Sequence, residues 1–335
     1  MCLKIISVGD IMLGDNLHHY RRGVASRFLN NFENLLSPKI RDHINHADLF
    51  FGNFECSILS DHKWKEAKLE RAMYVAPTSA LDFFSDWIPT IILNVANNHF
   101  EQHGLTATTH TINCLQEKGI YCIGQNCNPL KISIKNQRIV AWGVSVVQDP
   151  YTHTGYFKST PENLIQDINW PEKQKNDYWV ISIHWGDEYL TKPNQMQKKL
   201  AQKLLNKGVD LVLGHHPHVI QPVEQKNDKI IAYSHGNFIF DQNFSKLTQH
   251  GLLLETDTKN KQLKLYKTKQ KKFAVIQANF CSLSSLTQFC QKNYNKHRPF
   301  LMRILMKLEL FFSSSKVPLS VWKYFYIQFI RKITK

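Results

Sequence analysis

Short apolar runs alternate with longer stretches of helical periodicity from residue 4 to about residue 255, the pattern of a layered α/β fold. The apolar runs predict strands at 4–8, 48–51, 90–95, 120–123, 138–144, 179–184, 211–214, 230–234 and 252–255. Helices are predicted at 77–86, where a proline suits the first turn, at 105–118 after a glycine, and at 193–206, closed by Lys207 and Gly208. No internal repeat or low-complexity tract interrupts this core.

Chemically capable residues recur at the carboxyl ends of these runs. Asp10 follows the first, Glu55 the second, and Asn97, Asn98 and His99 the third. His184 ends a later run, His215, His216 and His218 follow the next, and His235 and Asn237 follow another. Ligands of open α/β sheets bind in the crevice beyond the strand carboxyl ends, so this recurrence predicts a site there. Taken singly, Asp10 and Asn98 read as helix caps or turn formers, and His99 as a hydrogen-bonded surface histidine. Three histidines within positions 215–218 have no such packing explanation. A mixed set of carboxylate, amide oxygen and imidazole suits Zn, Mn or Fe. Cys56 is the one cysteine near these loops, which disfavours a thiolate-rich structural zinc site. One or two divalent ions are therefore expected. Two ions roughly 3.5–4 Å apart lower the pKa of a bridging water and clamp both oxygens of a displacement.

Composition changes this picture at one end of the chain only. Of a net charge of +15, residues 259–335 supply 17 Lys and Arg against the single acid Glu309, so residues 1–258 are close to neutral. A nucleic-acid-binding core would carry basic side chains over its own surface, and the tail has no aromatic base-stacking motif, so nucleic acid is not an expected partner. The chain divides by composition into a core at 1–258 and a basic extension at 259–335. Residues 259–272, KNKQLKLYKTKQKK, predict an edge strand dissolving into a charged linker. Residues 299–312 and 320–332 predict short aromatic, basic helices suited to an anionic membrane surface, in preference to packing on the core or against a second copy. Seven cysteines without a CxxC predict free thiols in a reducing compartment. The opening MCLKIISVGD is too short and polar for a signal-peptide core, and no apolar run approaches the roughly 20 residues of a membrane span. The expected location is cytoplasmic, peripheral to the inner membrane face. His18, His19, Arg21 and Arg22 read as a solvated loop.

Six runs carry a family resemblance: SVGDIM from Ser7, GNFE from Gly52, NVANNH from Asn94, HWGDEY from His184, GHHPHVIQP from Gly214 and SHGNFIFDQ from Ser234. In order and spacing they resemble the CapA family of poly-gamma-glutamate capsule proteins, within the calcineurin-like metallophosphoesterases, over residues 4–245. The resemblance implies a four-layer αββα sandwich followed here by the basic helical extension. It implies that Asp10 and His218 hold one metal, that Glu55 bridges, and that Asn98, His184 and His216 hold a second. His99 would protonate or stabilise the leaving group, with Glu188 as a second catalytic candidate. Asn53, Asn97, His215, His235 and Asn237 would contact substrate or the free nitrogens of ligand imidazoles. Met12 stands where the wider superfamily has a further histidine, and Gln102 and His103 stand where many relatives have Asp and Tyr. The implied function is hydrolysis of a phosphoester or amide bond in an anionic polymer or its lipid-linked precursor. The alternative is a non-catalytic, membrane-associated assembly or export partner that keeps the metal for structure.

Overall fold

The computed structural model describes residues 2–16, 19, 21–67, 73–150, 155–302 and 304. The helix expected at 320–332, most of that expected at 299–312, and His18 lie outside the described residues.

The first sheet contains β1 (Lys4–Ile11), β2 (Leu49–Phe54), β5 (Thr90–Asn94) and β6 (Tyr121–Ile123), all parallel. On the other side of β1 it continues antiparallel through β14 (His250–Asp257), β15 (Leu263–Lys271) and β16 (Ala274–Cys281). The short β13 (Asn237–Ile239) lies parallel to the end of β1. The second sheet runs in the order β11 (Val223–Lys226), β12 (Lys229–Ala232), β10 (Leu211–His215), β9 (Asp177–His184), β8 (Gln137–Ser145), β7 (Leu130–Ile134), with β12, β10, β9 and β8 parallel. A small pair, β3 (Ser57–Leu59) and β4 (Val75–Pro77), stands apart.

Strand periodicity sorts the side chains into three apolar layers. In β9, Tyr178 and Val180 face the space between the sheets, where Ile5, Phe51 and Leu213 meet them, while Trp179, Ile181 and Ile183 face outward. The outward set of the second sheet packs on Leu200, Ala201 and Leu204 of the helix Gln195–Asn206. Outward residues of the first sheet, among them Ile6, Phe50 and Leu93, pack on the helices Pro38–Asn45 and Leu105–Glu117. Helix, sheet, sheet and helix therefore stack as an αββα sandwich, and strands buried on both faces read as near-continuous apolar runs.

Two expected elements differ. The helix predicted at 77–86 is the last residue of β4 followed by the 3-10 helix Thr78–Phe84, whose threefold repeat aligns Ala80 with Phe83 and Leu81 with Phe84 toward the core. Residues 259–272 hold β15, an interior strand: Lys267, Lys269 and Lys271 alternate with buried Thr268 and Gln270. Position 258 lies between two paired strands, and Thr258 N–H donates to Leu3 O at 3.0 Å. The helix Leu283–Lys292 follows β16, capped by Ser282 Oγ, and sets Leu286 and Cys290 into the layer between the sheets.

Candidate metal centre

The carboxyl ends of β1, β2, β5, β9 and β10 converge on one edge. Convergence requires close backbone approach: a side chain on Gly9 would meet Gly236 O at 1.7 Å, and Gly236 takes φ 65°. With glycine at both positions, Asp10 N–H donates to Gly236 O at 3.0 Å, and β13 aligns Asn237 opposite Asp10.

Asp10 and Glu55 sit fully buried at the centre. The Asn53 amide donates to Asp10 Oδ1 at 2.9 Å and to Glu55 Oε2 at 3.1 Å, so one side chain holds both carboxylates in place. The remaining oxygens, Asp10 Oδ2 and Glu55 Oε1, have no hydrogen-bond partner among the described residues. Imidazoles surround them: His218 Nδ1 lies 3.3 Å from Asp10 Oδ2, and its Nε2 lies 3.7 Å from Glu55 Oε1. His184 Nε2 and His99 Nε2 lie 3.9 and 3.8 Å from Glu55 Oε1. His184 Nε2 also lies 2.8 Å from Asn98 Oδ1 and 3.1 Å from His216 Nδ1. Glu188, half-buried, joins His216 and His218 in one three-donor group, and Asp10, Glu55 and His184 form another, the donor atoms of each within 4.8 Å of one another. Bond lengths of about 2.0–2.2 Å to an ion put its ligands up to roughly 4.4 Å apart, so each group needs little contraction. The donor set fits a divalent ion of the Zn, Mn or Fe kind.

Electrostatics agree with that fit at Asp10, His184 and His216, whereas Glu55 and His218 hold protons that a bound ion would displace. Burial would raise Asp10, but the His215 and His218 rings beside it hold its carboxyl well below the usual range. Burial, and then the charge of Asp10, push Glu55 well above. Burial lowers His184, and it brings His216 to about 3 and His99 to about 4, so these rings are neutral, as metal ligation requires. His218, opposed by burial but facing Glu55 and Asp10, rises to about 10. Among the described residues the ion-pair partners of Asp10 and Glu55 are all imidazoles.

The other expected residues lie beneath this set. Asn97 Nδ2 donates to Phe54 O at 2.8 Å, and its Oδ1 accepts from His99 N–H at 3.2 Å. Asn237 Oδ1 is 2.9 Å from His218 Nδ1, with its amide donating to Thr248 O and Gln242 Oε1. His215 Nδ1 lies 3.4 Å from Asp10 Oδ1, and its ring stacks on His235 at 5.5 Å. His235 is fully buried, with Nε2 2.9 Å from Ser7 Oγ. Asn53, Asn97, Asn237 and His235 thus touch other side chains of the site. Met12 is buried in the apolar cluster outside the first sheet. Gln102 Oε1 lies 3.2 Å from His99 Nδ1, and His103 Nε2 lies 2.6 Å from Met73 O. His19 is half-buried: it lies 3.0 Å from Asn243 Oδ1 and edge-on to Phe273. Sequence reasoning missed Tyr74, which stacks on His99 at 3.8 Å. No spacing signal joins Tyr74 to His99; the backbone bridges of Met73 and Val75 to Asp15 bring it there.

Known proteins are similar to this chain in sequence. The family described as bacterial capsule synthesis protein PGA_cap matches residues 4–242. The capsule biosynthesis protein CapA of Bacillus anthracis is 27% identical over 269 residues, covering 75% of this chain and 63% of that protein. The PGA biosynthesis protein CapA of Bacillus subtilis (strain 168) is 29% identical over 260 residues, 73% of this chain and 65% of that protein. The chain thus spans just under two thirds of the length of these two relatives. A crystal structure of the Thermus thermophilus protein TT1561 aligns with a TM-score of 0.43 at 11% identity, covering 79% of this chain and 98% of that one. With its match extending across the whole αββα sandwich edge from β1 to β13, the chain belongs to the PGA_cap family of bacterial capsule synthesis proteins.

Proposed function

We propose that the chain is a metal-dependent hydrolase acting on a phosphoester or amide bond in the synthesis of capsule, poly-gamma-glutamate or another surface polymer. The observation that supports this reading is the pair of fully buried carboxylates, Asp10 and Glu55, each with one oxygen left without a donor and turned among imidazoles. Buried carboxylates are costly, and one whose second oxygen accepts no hydrogen bond is retained where an ion completes it. Asp10, Glu55, Asn98, His184, His216 and His218 would hold one or two ions, with Glu188 beside His216 and His218. A bound divalent ion supplies a water of lowered pKa and polarises the scissile bond. The chain's own part is orientation and proton handling. Asn53 fixes both carboxylates, Asn237 fixes the His218 ring, and His99, neutral and held between Gln102 and Tyr74, presents Nε2 toward Glu55 where a leaving group would be met. We place the protein on the cytoplasmic side of the membrane, where its free cysteines stay reduced. The substrate is an anionic polymer or its lipid-linked precursor.

The second reading, a non-catalytic assembly or export partner, draws on Met12. Its side chain lies in the apolar cluster, so the site gains no imidazole from that position. Metal analysis of purified wild type beside an Asp10→Ala, His216→Ala double variant tests the site, and turnover of a chromogenic phosphodiester and of a gamma-glutamyl anilide tests the chemistry. About one or two equivalents of metal, absent from the variant, with turnover lost in His99→Gln, is the expected result. Bound metal without turnover of either bond type would favour the assembly partner. No metal after reconstitution with each ion would sink both.

A further inference from the structure

Exposed apolar side chains are unevenly spread over the described residues. Ile88, Leu105 and Tyr121 stand apart, whereas Ile276, Phe280, Leu283, Tyr294, Phe300, Leu301 and Ile304 all fall in one stretch. Phe280 and Phe300 are 68% and 67% exposed, too open to be core residues with a wet edge. The stretch begins on the rim of the first sheet and runs on into the helix Leu283–Lys292. β16 is the edge strand of the first sheet, and the helix that follows it reaches the edge of the second, with Cys290 Sγ 3.5 Å from Ile220 O.

Charge is arranged around the same side. β16, AVIQANFC, has no charged residue, while Lys267 and Lys269 on β15, and Lys292, Lys296 and Arg298 beyond, flank it. Among the described residues, no carboxylate pairs with any of these five. Lys267 instead lies over the Phe289 ring at 4.6 Å, and Lys192 over Tyr294 at 5.5 Å. Unpaired ammonium groups beside open phenylalanines match an anionic lipid surface, where rings enter the headgroup layer and ammonium groups meet phosphate. A second copy is a poorer occupant, because two-fold pairing would bring the lysine-rich flanks together. A soluble polyanion would engage the lysines but leave Phe280 and Phe300 without a role.

We propose that this rim of the sandwich, β16 with the described residues up to 302 and residue 304, docks on an anionic lipid surface. The proposal does not rest on hydrolysis at the metal centre. It does place that centre near the bilayer, since Thr191 Oγ1 donates to Cys290 O at 2.8 Å and so ties the loop bearing Glu188 to the docking helix.

The test is flotation of the full chain with vesicles of phosphatidylcholine alone and of phosphatidylcholine with about one third phosphatidylglycerol, the charged lipid supplying the negative surface potential. Wild type is expected to float with the anionic vesicles only, and to be released near 1 M salt, where screening is nearly complete. A Phe280→Ser, Phe300→Ser double variant and a Lys269→Glu, Lys296→Glu double variant should each bind roughly tenfold more weakly. Both pairs lie on the surface, so an unchanged unfolding midpoint shows that the variants are folded. Three outcomes overturn the proposal: no flotation of wild type, equal flotation of wild type and both variants, or a wild-type dimer by light scattering that the phenylalanine variant dissolves.

Discussion

The outer apolar layer of the second sheet and the polar edge where its strands end are built from the same strands to opposite standards. Outside β9, the rings of Trp142, Trp170 and Trp179 pack at 5.0–5.8 Å, and each indole N–H is satisfied, by Asn169 O, Ile165 O and Asp177 Oδ2. The helix that covers them opens with a reciprocal Asn194–Gln197 capping box. At the edge where β9 and β10 end beside β1 and β2, and among the described residues, one oxygen each of buried Asp10 and Glu55 lacks a partner, both nitrogens of His215 lack hydrogen bonds, and His216 and His218 take φ of 96° and 56°. Satisfied packing in the layer carries the cost of unsatisfied chemistry at the edge, and the division runs between the body of the strands and their carboxyl ends.

The sharpest way to break this division is Asp10→Ala. Bound metal and hydrolysis should fall by at least about a hundredfold, because a ligand is lost. In chelator-treated protein the same change should cost little stability, because the lost pairing with His218 is offset by relief of the like charge beside Glu55. A large loss of stability without metal would show that the carboxylate pair is structural after all. Leu204→Ala tests the other side. Leu204 is fully buried against the tryptophans, so a denaturant titration should show a loss of about 2–5 kcal/mol, with metal per folded protein unchanged.

A third experiment concerns pH, away from both regions. His43 beside Glu255, with Lys264 and Lys4 near it, holds the Glu255 carboxyl down at about 2. The folded value lies below the unfolded one of 4.5, so this contribution is fully present above about pH 4.5 and is lost as pH falls toward 2. It amounts to about 1–2 kcal/mol after screening, and Glu255→Gln should flatten the stability profile over that window. The smallest effect is expected from Asn194→Ala, about 1 kcal/mol of helix stability from the lost cap, with no change at the metal centre.

Legibility in the sequence divides along the same line. Strands buried on both faces were readable as runs: 179–184 became β9 with two residues added at its start, and 90–95 became β5 with one removed. Strands with one wet face, such as β7 and β16, gave no run, and β13 is too short to announce itself. The polar residues at strand ends were visible as a recurrence, and the structure brings Asp10, Glu55, Asn98, His99, His184, His216 and His218 together. Invisible were the parts set by tertiary approach: Tyr74 over His99, Ser7 against His235, and the joining of Glu188 to His216 and His218. Nothing in local spacing encodes contacts between positions so far apart in the chain.

The left-handed backbone at His216 and His218 bears on how this protein could be re-engineered. Each conformation costs a non-glycine residue about 1–3 kcal/mol, and glycine would adopt it freely. A library screened for heat resistance alone would therefore drift to glycine at both positions and return sturdy, silent proteins. Only a screen that rewards retained ions would keep the two imidazoles, so the choice of selection pressure, more than of mutagenesis method, decides whether the centre survives.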